Sequence, residues 1–143
     1  MRFKTKLAAG AILWFLGLLN PSIAHADVRV RISKSSQTMT VWVNGSYYAD
    51  WAVSTGARGY GTPSGTFRPQ RLAARYFSRK YDNAPMHNAV FFTGGYAIHG
   101  TSHISTLGQP ASHGCVRLHP SNAREFFSLV QSYGPKNTII SIR

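Results

Sequence analysis

The chain has 143 residues, with sixteen Lys and Arg against four Asp and Glu, for a formal charge of +12. That length has room for one domain with one core and for no second one. The single cysteine, Cys115, excludes an intrachain disulfide.

Arg2, Lys4 and Lys6 precede an uncharged, mostly apolar run from Leu7 to Leu19. Asn20-Pro21 breaks the run, and Ala24-His25-Ala26 supplies the small residues that a signal peptidase reads. The layout is that of a secretory leader over residues 1–26, cleaved after Ala26. The run is shorter than the roughly 20 residues a spanning helix needs. Cleavage leaves a domain over 27–143 with thirteen Lys and Arg against Asp27, Asp50, Asp82 and Glu125. Such a field concentrates anionic partners. For an exported chain these are a wall polymer or a membrane surface rather than nucleic acid, and the expected location is the periplasm or cell envelope.

Val28, Val30 and Ile32 alternate with Arg29 and Arg31, and Met39, Val41 and Val43 repeat the pattern. Period two predicts strands with one polar face. Ser33 to Gln37 reads as a turn, and Asn44-Gly45 as a hairpin turn leading into a returning strand over Tyr47–Val53. The glycines at 59, 61 and 65 make a weak phosphate-loop signal, because no Gly-Lys-Ser/Thr follows. Thr62-Pro63-Ser64-Gly65-Thr66-Phe67 reads as a tight turn feeding a strand, and Arg68 to Asp82 as basic and irregular. Ala89–Phe92 and Tyr96–His99 are two further strands. One helix follows, with Ser121 as its cap, a stripe of Phe126, Phe127, Leu129, Val130 and Tyr133, and Gly134-Pro135 as its stop. Thr138–Ile142 closes the chain as a strand. Many strands and one late helix predict a mostly-β domain closed as a sandwich or barrel.

The chemistry concentrates in Ile98-His99-Gly100-Thr101 and Ser112-His113-Gly114-Cys115-Val116-Arg117-Leu118. A thiolate is the working nucleophile of a cysteine enzyme, so Cys115 needs a base or cation beside it. His99 ends a predicted strand and is the candidate base. His113 lies two residues before Cys115, and a catalytic and a structural role both stay open for it. A zinc site from His99, His103, His113, Cys115 and His119 is a second reading, weakened by the lack of a second cysteine or paired carboxylates. A buried, inert cysteine is the third.

The segment from His99 to Leu118 resembles the signature of the L,D-transpeptidase (YkuD-type) catalytic domain: His-Gly, a spacer, then Ser/Thr-His-Gly-Cys, an apolar residue and Arg or Asn. Thr62 to Phe67 is similar to that family's Thr-Pro-x-Gly-x-Phe turn, and Lys80 to Met86 to the segment before its central strands. The resemblance covers almost all of residues 27–143. It implies a β-sandwich-like domain with a short helix and no metal or organic cofactor. It also implies a Cys115 thioester with a peptidoglycan stem peptide, D-alanine release, and transfer to an amine of another stem or of a wall-linked protein. On this reading Cys115 attacks, His99 moves the proton, and the Gly100 carbonyl orients the imidazole. The Gly114 and Cys115 N–H groups would form the oxyanion hole. Ser112 and His113 would shape the site, and Arg117 would face a substrate carboxylate. The expected state is a monomer. Hydrolysis of the same bonds, or silent wall binding, are the rival functions.

Overall fold

The computed structural model describes residues 26–143, so all but the last residue of the expected leader lies outside the described residues. β1 (Val28–Ser33), β2 (Thr38–Val43) and β3 (Ser46–Ser54) form the expected antiparallel meander. Val28, Val30, Ile32, Met39 and Val41 are fully buried, while Arg29 and Arg31 stay exposed. Asn44 and Gly45 have φ of 50° and 79°, the left-handed pair that a two-residue hairpin turn needs.

The basic segment is more ordered than its composition predicts. After β4 (Gly65–Phe67) it holds β5 (Arg71–Ala73), β6 (Phe77–Ser78) and a 3-10 turn at Arg79–Tyr81. β7 (Ala84–Pro85) pairs with β6 as a separate two-stranded ribbon. β8 (His87–Thr93) and β9 (Tyr96–Gly100) form the next hairpin, and β10 (Val116–Leu118) follows the signature cysteine. The helix α1 spans Pro120–Tyr133, and β11 (Thr138–Ile142) ends the fold. The helix starts earlier than expected. Pro120 takes its first turn, and the cap is His119, whose ring accepts the Ser121 N–H, so Ser121 lies inside the helix. Proline suits that position because its missing N–H would have had no helical partner.

Nine strands make one continuous curled sheet in the order β4-β11-β1-β2-β3-β10-β9-β8-β5. Only β1–β11 and β9–β10 pair in parallel. Curling brings the two ends of the sheet face to face across the core. Phe67 of β4 meets the buried Phe92 of β8 with ring centroids 5.1 Å apart. Helix α1 packs on β8 and β9 and adds Ala123, Phe126, Phe127 and Val130 to the same core. The mostly-β expectation holds, with curvature of one sheet supplying the closure.

β8 is buried on both faces. Val90 and Phe92 enter the main core. Ala89 and Phe91 enter a smaller apolar cluster with Met86 and Ala97, against which Cys115 packs. Strands sheltered on both sides read as continuous apolar runs, which is how Ala89 to Phe92 appears.

Candidate active site

Pleating places the chemistry. In β9, Ile98 points into the main core, and so Ala97 and His99 take the opposite face. β10 pairs with β9 in parallel, Val116 across from Ile98 and Arg117 across from His99. Val116 and Leu118 are fully buried in the core, so Cys115 and Arg117 share the face of Ala97 and His99. A strand spacing and a two-residue rise put the Cys115 and His99 α-carbons roughly 8 Å apart, within side-chain reach. Both side chains, with Arg117, Ser112 and His113, line one cavity roofed by Ser78, Tyr81, Ala84, Pro85 and Met86 of the β6–β7 ribbon. A second cavity, walled by Tyr76, Arg79, Lys80, Gly95 and Tyr96, shares Tyr81, Met86, His113 and Cys115 with the first. Cys115 thus stands where two openings meet.

His99 is almost wholly buried, and its Nδ1 donates to the Gly100 carbonyl at 2.8 Å. A carbonyl only accepts, so the proton sits on Nδ1 and Nε2 is the free base. Position 100 is tight. A Cβ there would lie 3.3 Å from both Ala123 Cβ and Pro120 Cα, where the helix start packs against β9. Burial lowers the imidazole pKa to about 4; Arg117 and His87 push the same way, and the Gly100 hydrogen bond opposes them. His99 is therefore neutral at neutral pH.

The Cys115 sulfur accepts the Ala97 N–H at 3.4 Å and has a long contact to the Gly95 carbonyl at 3.9 Å. Burial pushes the thiol up, and the Ala97 N–H and the Arg117 charge pull it down. The resting pair is thus a neutral thiol and a neutral imidazole, with the sulfur's contacts going to Ala97 of β9 and to Gly95 in the turn before it, not to His99.

The turn into Cys115 is held from several sides. Ser112 is buried; its hydroxyl donates to the Cys115 carbonyl at 2.5 Å and accepts the Gly114 N–H at 3.0 Å. Of the two N–H groups expected to form the oxyanion hole, that of Gly114 is thus engaged by Ser112. Gly114 has φ of 119°, and a Cβ there would fall 2.6 Å from the Tyr96 ring. Only glycine fits both constraints. The Gly114 carbonyl accepts from Thr62 Oγ1 at 2.8 Å, and that oxygen also accepts the Gly56 N–H at 2.8 Å. Arg117 is half-buried, and its Nη1 donates to the Ala111 carbonyl at 3.3 Å while the side chain lines the first cavity.

His113 is exposed and lies between two tyrosine rings. Tyr60 meets it edge-on at 4.6 Å, and Tyr81 stacks on it at 4.4 Å and 16°. Among the described residues no three His, Cys, Asp or Glu side chains converge on a point where a metal could bind, so the five zinc candidates do not form a ligand set. His119 is occupied as the helix cap, and His103 lies on the cavity wall.

Residue-by-residue reading of the sequence missed four contributors. Thr62 entered only as part of a turn motif. Gln37 reads as the last residue of a turn, which it is by backbone, and its side chain is buried. Its amide accepts the Thr55 N–H at 2.9 Å and donates to Thr55 Oγ1 at 2.7 Å, beneath the Ser112 strand bridge. Tyr60 carried no local signal, and Tyr81 entered only within the Lys80–Met86 segment. The spacing of Thr62 from Gly65 and Phe67 was the one usable clue.

Known proteins resemble this chain in sequence and in fold. The family model described as the L,D-transpeptidase catalytic domain (YkuD) matches residues 27–142. The putative L,D-transpeptidase YkuD of Bacillus subtilis is 26% identical over 95% of this chain and 77% of its own length. That of Bacillus licheniformis is 24% identical over 96% and 77%. Among solved structures, an L,D-transpeptidase from Mycobacterium smegmatis superposes with a TM-score of 0.72 at 24% identity, covering 82% of this chain and 59% of that one. An LD transpeptidase solved in complex with imipenem gives the same values. The L,D-transpeptidase of Xylanimonas cellulosilytica gives 0.65 at 26% identity, over 83% and 61%. The chain therefore spans about three fifths of these solved chains. Since the family match takes in most of its length, the protein belongs to the L,D-transpeptidase catalytic-domain (YkuD) family.

Proposed function

We propose that this chain is an exported L,D-transpeptidase of the cell envelope that works through a Cys115 thioester. The observation that carries the reading is the shared sheet face of Cys115 and His99, with the imidazole's Nε2 left free by the Nδ1–Gly100 hydrogen bond. As the sulfur attacks the carbonyl of a stem tetrapeptide, its proton passes to Nε2. The oxyanion is met by the Cys115 N–H. The imidazolium then protonates the leaving amine, D-alanine departs, and a thioester remains. An amine entering the site gives its proton to Nε2, attacks the thioester, and restores the thiol. Two openings onto one sulfur suit a reaction with an acyl donor and an acyl acceptor. Arg117 is suited to hold a donor carboxylate.

The neutral resting pair makes His99 a general base at the moment of attack rather than the holder of a standing thiolate. The test is intact-protein mass spectrometry with a carbapenem, together with D-alanine release from a purified tetrapeptide. A single adduct on the wild type, none on Cys115→Ser, and D-alanine release support the reading. A folded wild type with neither adduct nor release overturns it and leaves silent wall binding as the better account. Release without any cross-linked product points to hydrolysis.

A further inference from the structure

The ribbon that roofs the cavity is tied down at its base. Phe77 pairs with Pro85 and Ser78 with Ala84, and the Met86 N–H donates to the Tyr76 carbonyl at 2.7 Å. Its tip is a tight reversal, with Asp82 and Asn83 both left-handed at φ of 49° and 55°. Tyr81 stands at that tip, lines both cavities, and stacks on His113.

On the other side of the imidazole, Tyr60 belongs to a close-packed turn. The Tyr60 N–H donates to the Ala57 carbonyl at 2.8 Å, and a Cβ at Gly56 would strike the Tyr60 carbonyl oxygen at 1.5 Å. Thr62 fastens that turn to Gly114. Tyr60 is therefore fixed to the body of the domain and Tyr81 to the roof. Among the described residues neither ring nitrogen of His113 has a hydrogen-bond partner, and the sulfur's contacts go to Ala97 and Gly95. The contacts that His113 makes are ring to ring, with Tyr60 and Tyr81.

We propose that His113 is a positioning residue, clamped between Tyr60 and Tyr81, that pins the roof tip beside Cys115 and sets how wide a molecule can reach the sulfur. The proposal rests on Cys115 being the reactive group of the site. It assigns Tyr60 and Tyr81 to the same device, and it makes the face of the imidazole, rather than its nitrogens, the working part. Aromatic pairs of this kind are individually modest, so the clamp holds a closed population that a single truncation shifts.

The test measures alkylation of Cys115, the sole thiol, by two reagents of different width, iodoacetamide and fluorescein maleimide. The quantity read is the ratio of the wide reagent's rate constant to the small one's. His113→Ala and Tyr81→Ala should raise that ratio about tenfold, from loss of the stacked pairs. His113→Phe and Tyr81→Phe, which keep a flat ring, should stay within about twofold of the wild type. The proposal is overturned if His113→Phe behaves like His113→Ala, because a nitrogen is then required. It is also overturned if neither alanine variant changes the ratio. Circular dichroism checks folding; should His113→Ala fail to fold, Tyr81→Ala and Tyr81→Phe carry the decision. Alkylation needs no acyl donor or acceptor. A protein that forms no carbapenem adduct but shows the alanine effect refutes acyl transfer and leaves the clamp standing.

Discussion

Arg117 lies directly across from His99 in the parallel register of β10 and β9, so a permanent cation shares one sheet face with the imidazole and the thiol. Its field acts on both in the same sense. It disfavours the imidazolium and favours the thiolate, and each effect works against or with burial at that site. One side chain therefore couples the proton affinities of Cys115 and His99.

Replacing Arg117 by methionine keeps the length and removes the charge. The thiol should become harder to ionise and His99 easier to protonate. The midpoint of iodoacetamide alkylation against pH should move upward, and the rate at pH 7 should fall roughly three- to tenfold, since a thiolate near a cation is the more populated one. An unmoved midpoint would show that the guanidinium does not reach the sulfur.

His99 makes stability depend on pH with a definite sign. Its pKa is near 6.5 when the chain is unfolded and about 4 in the fold, so the unfolded chain takes up the proton first. The contribution is fully present above pH 6.5 and is lost as pH falls toward 4, amounting to roughly 3 kcal/mol across that window. Urea unfolding at pH 7 and pH 4.5 measures it. His99→Gln cannot titrate there, and its stability should fall less on acidification; an equal fall in both proteins would assign the effect elsewhere.

Thr62→Val tests the strut beneath the turn into Cys115. Valine has the same shape but leaves the Gly56 N–H and the Gly114 carbonyl without their partner. The expected loss is about 1–3 kcal/mol, as for other buried groups left unpaired. Carbapenem acylation should slow as well, because the Gly114 peptide is released. Thr62→Ser keeps the hydroxyl and should recover most of both.

Gly114→Ala combines two penalties, a left-handed φ and a contact with Tyr96. A combined Gly114→Ala/Tyr96→Leu variant removes the contact only. If the double variant recovers part of the lost stability in urea, packing against Tyr96 matters. Full recovery would mean that the φ of 119° carries no strain.

Much of this was legible in the sequence wherever short-range chemistry decided the structure. The alternation in β1 and β2 and the Asn44-Gly45 turn depend on neighbouring residues alone. So do the apolar stripe and glycine stop of α1, and they appear as read. What stayed hidden depends on distant partners. β5 is three residues long and exists because it pairs with β8; its arginine covers Phe91, with the guanidinium 3.9 Å above the ring. Gln37 looked like a turn residue and is one by backbone, with φ of 52°, but Thr55 draws its amide inward. The cap at His119 escaped notice because Ser121 is the commoner capping type, and Pro120 decides the start. Nothing local to Tyr60 or Tyr81 announces that both rings find His113.

The parallel pairing of β9 and β10 has one more consequence. Parallel neighbours cannot be joined by a tight turn; the chain must leave one end of the sheet and travel back to the other. Here that return path runs from Thr101 to Gly114, and it supplies Thr101, Ser102, His103, Ser112 and His113 to the cavity wall. Strand register sets the spacing of His99 and Cys115 at the ends of the path, while the path is fastened to β3 and the residues after it at Thr106, Gly108, Ala111 and Ser112. Exchanging Ser102 or His103, which line the wall and lie ahead of those fastenings, would redraw the cavity while the strand register kept the thiol and imidazole at their spacing. Part of the wall can therefore be varied by substitution apart from the strand pairing that spaces the two side chains, whereas Ser112 belongs to both the wall and the turn into Cys115.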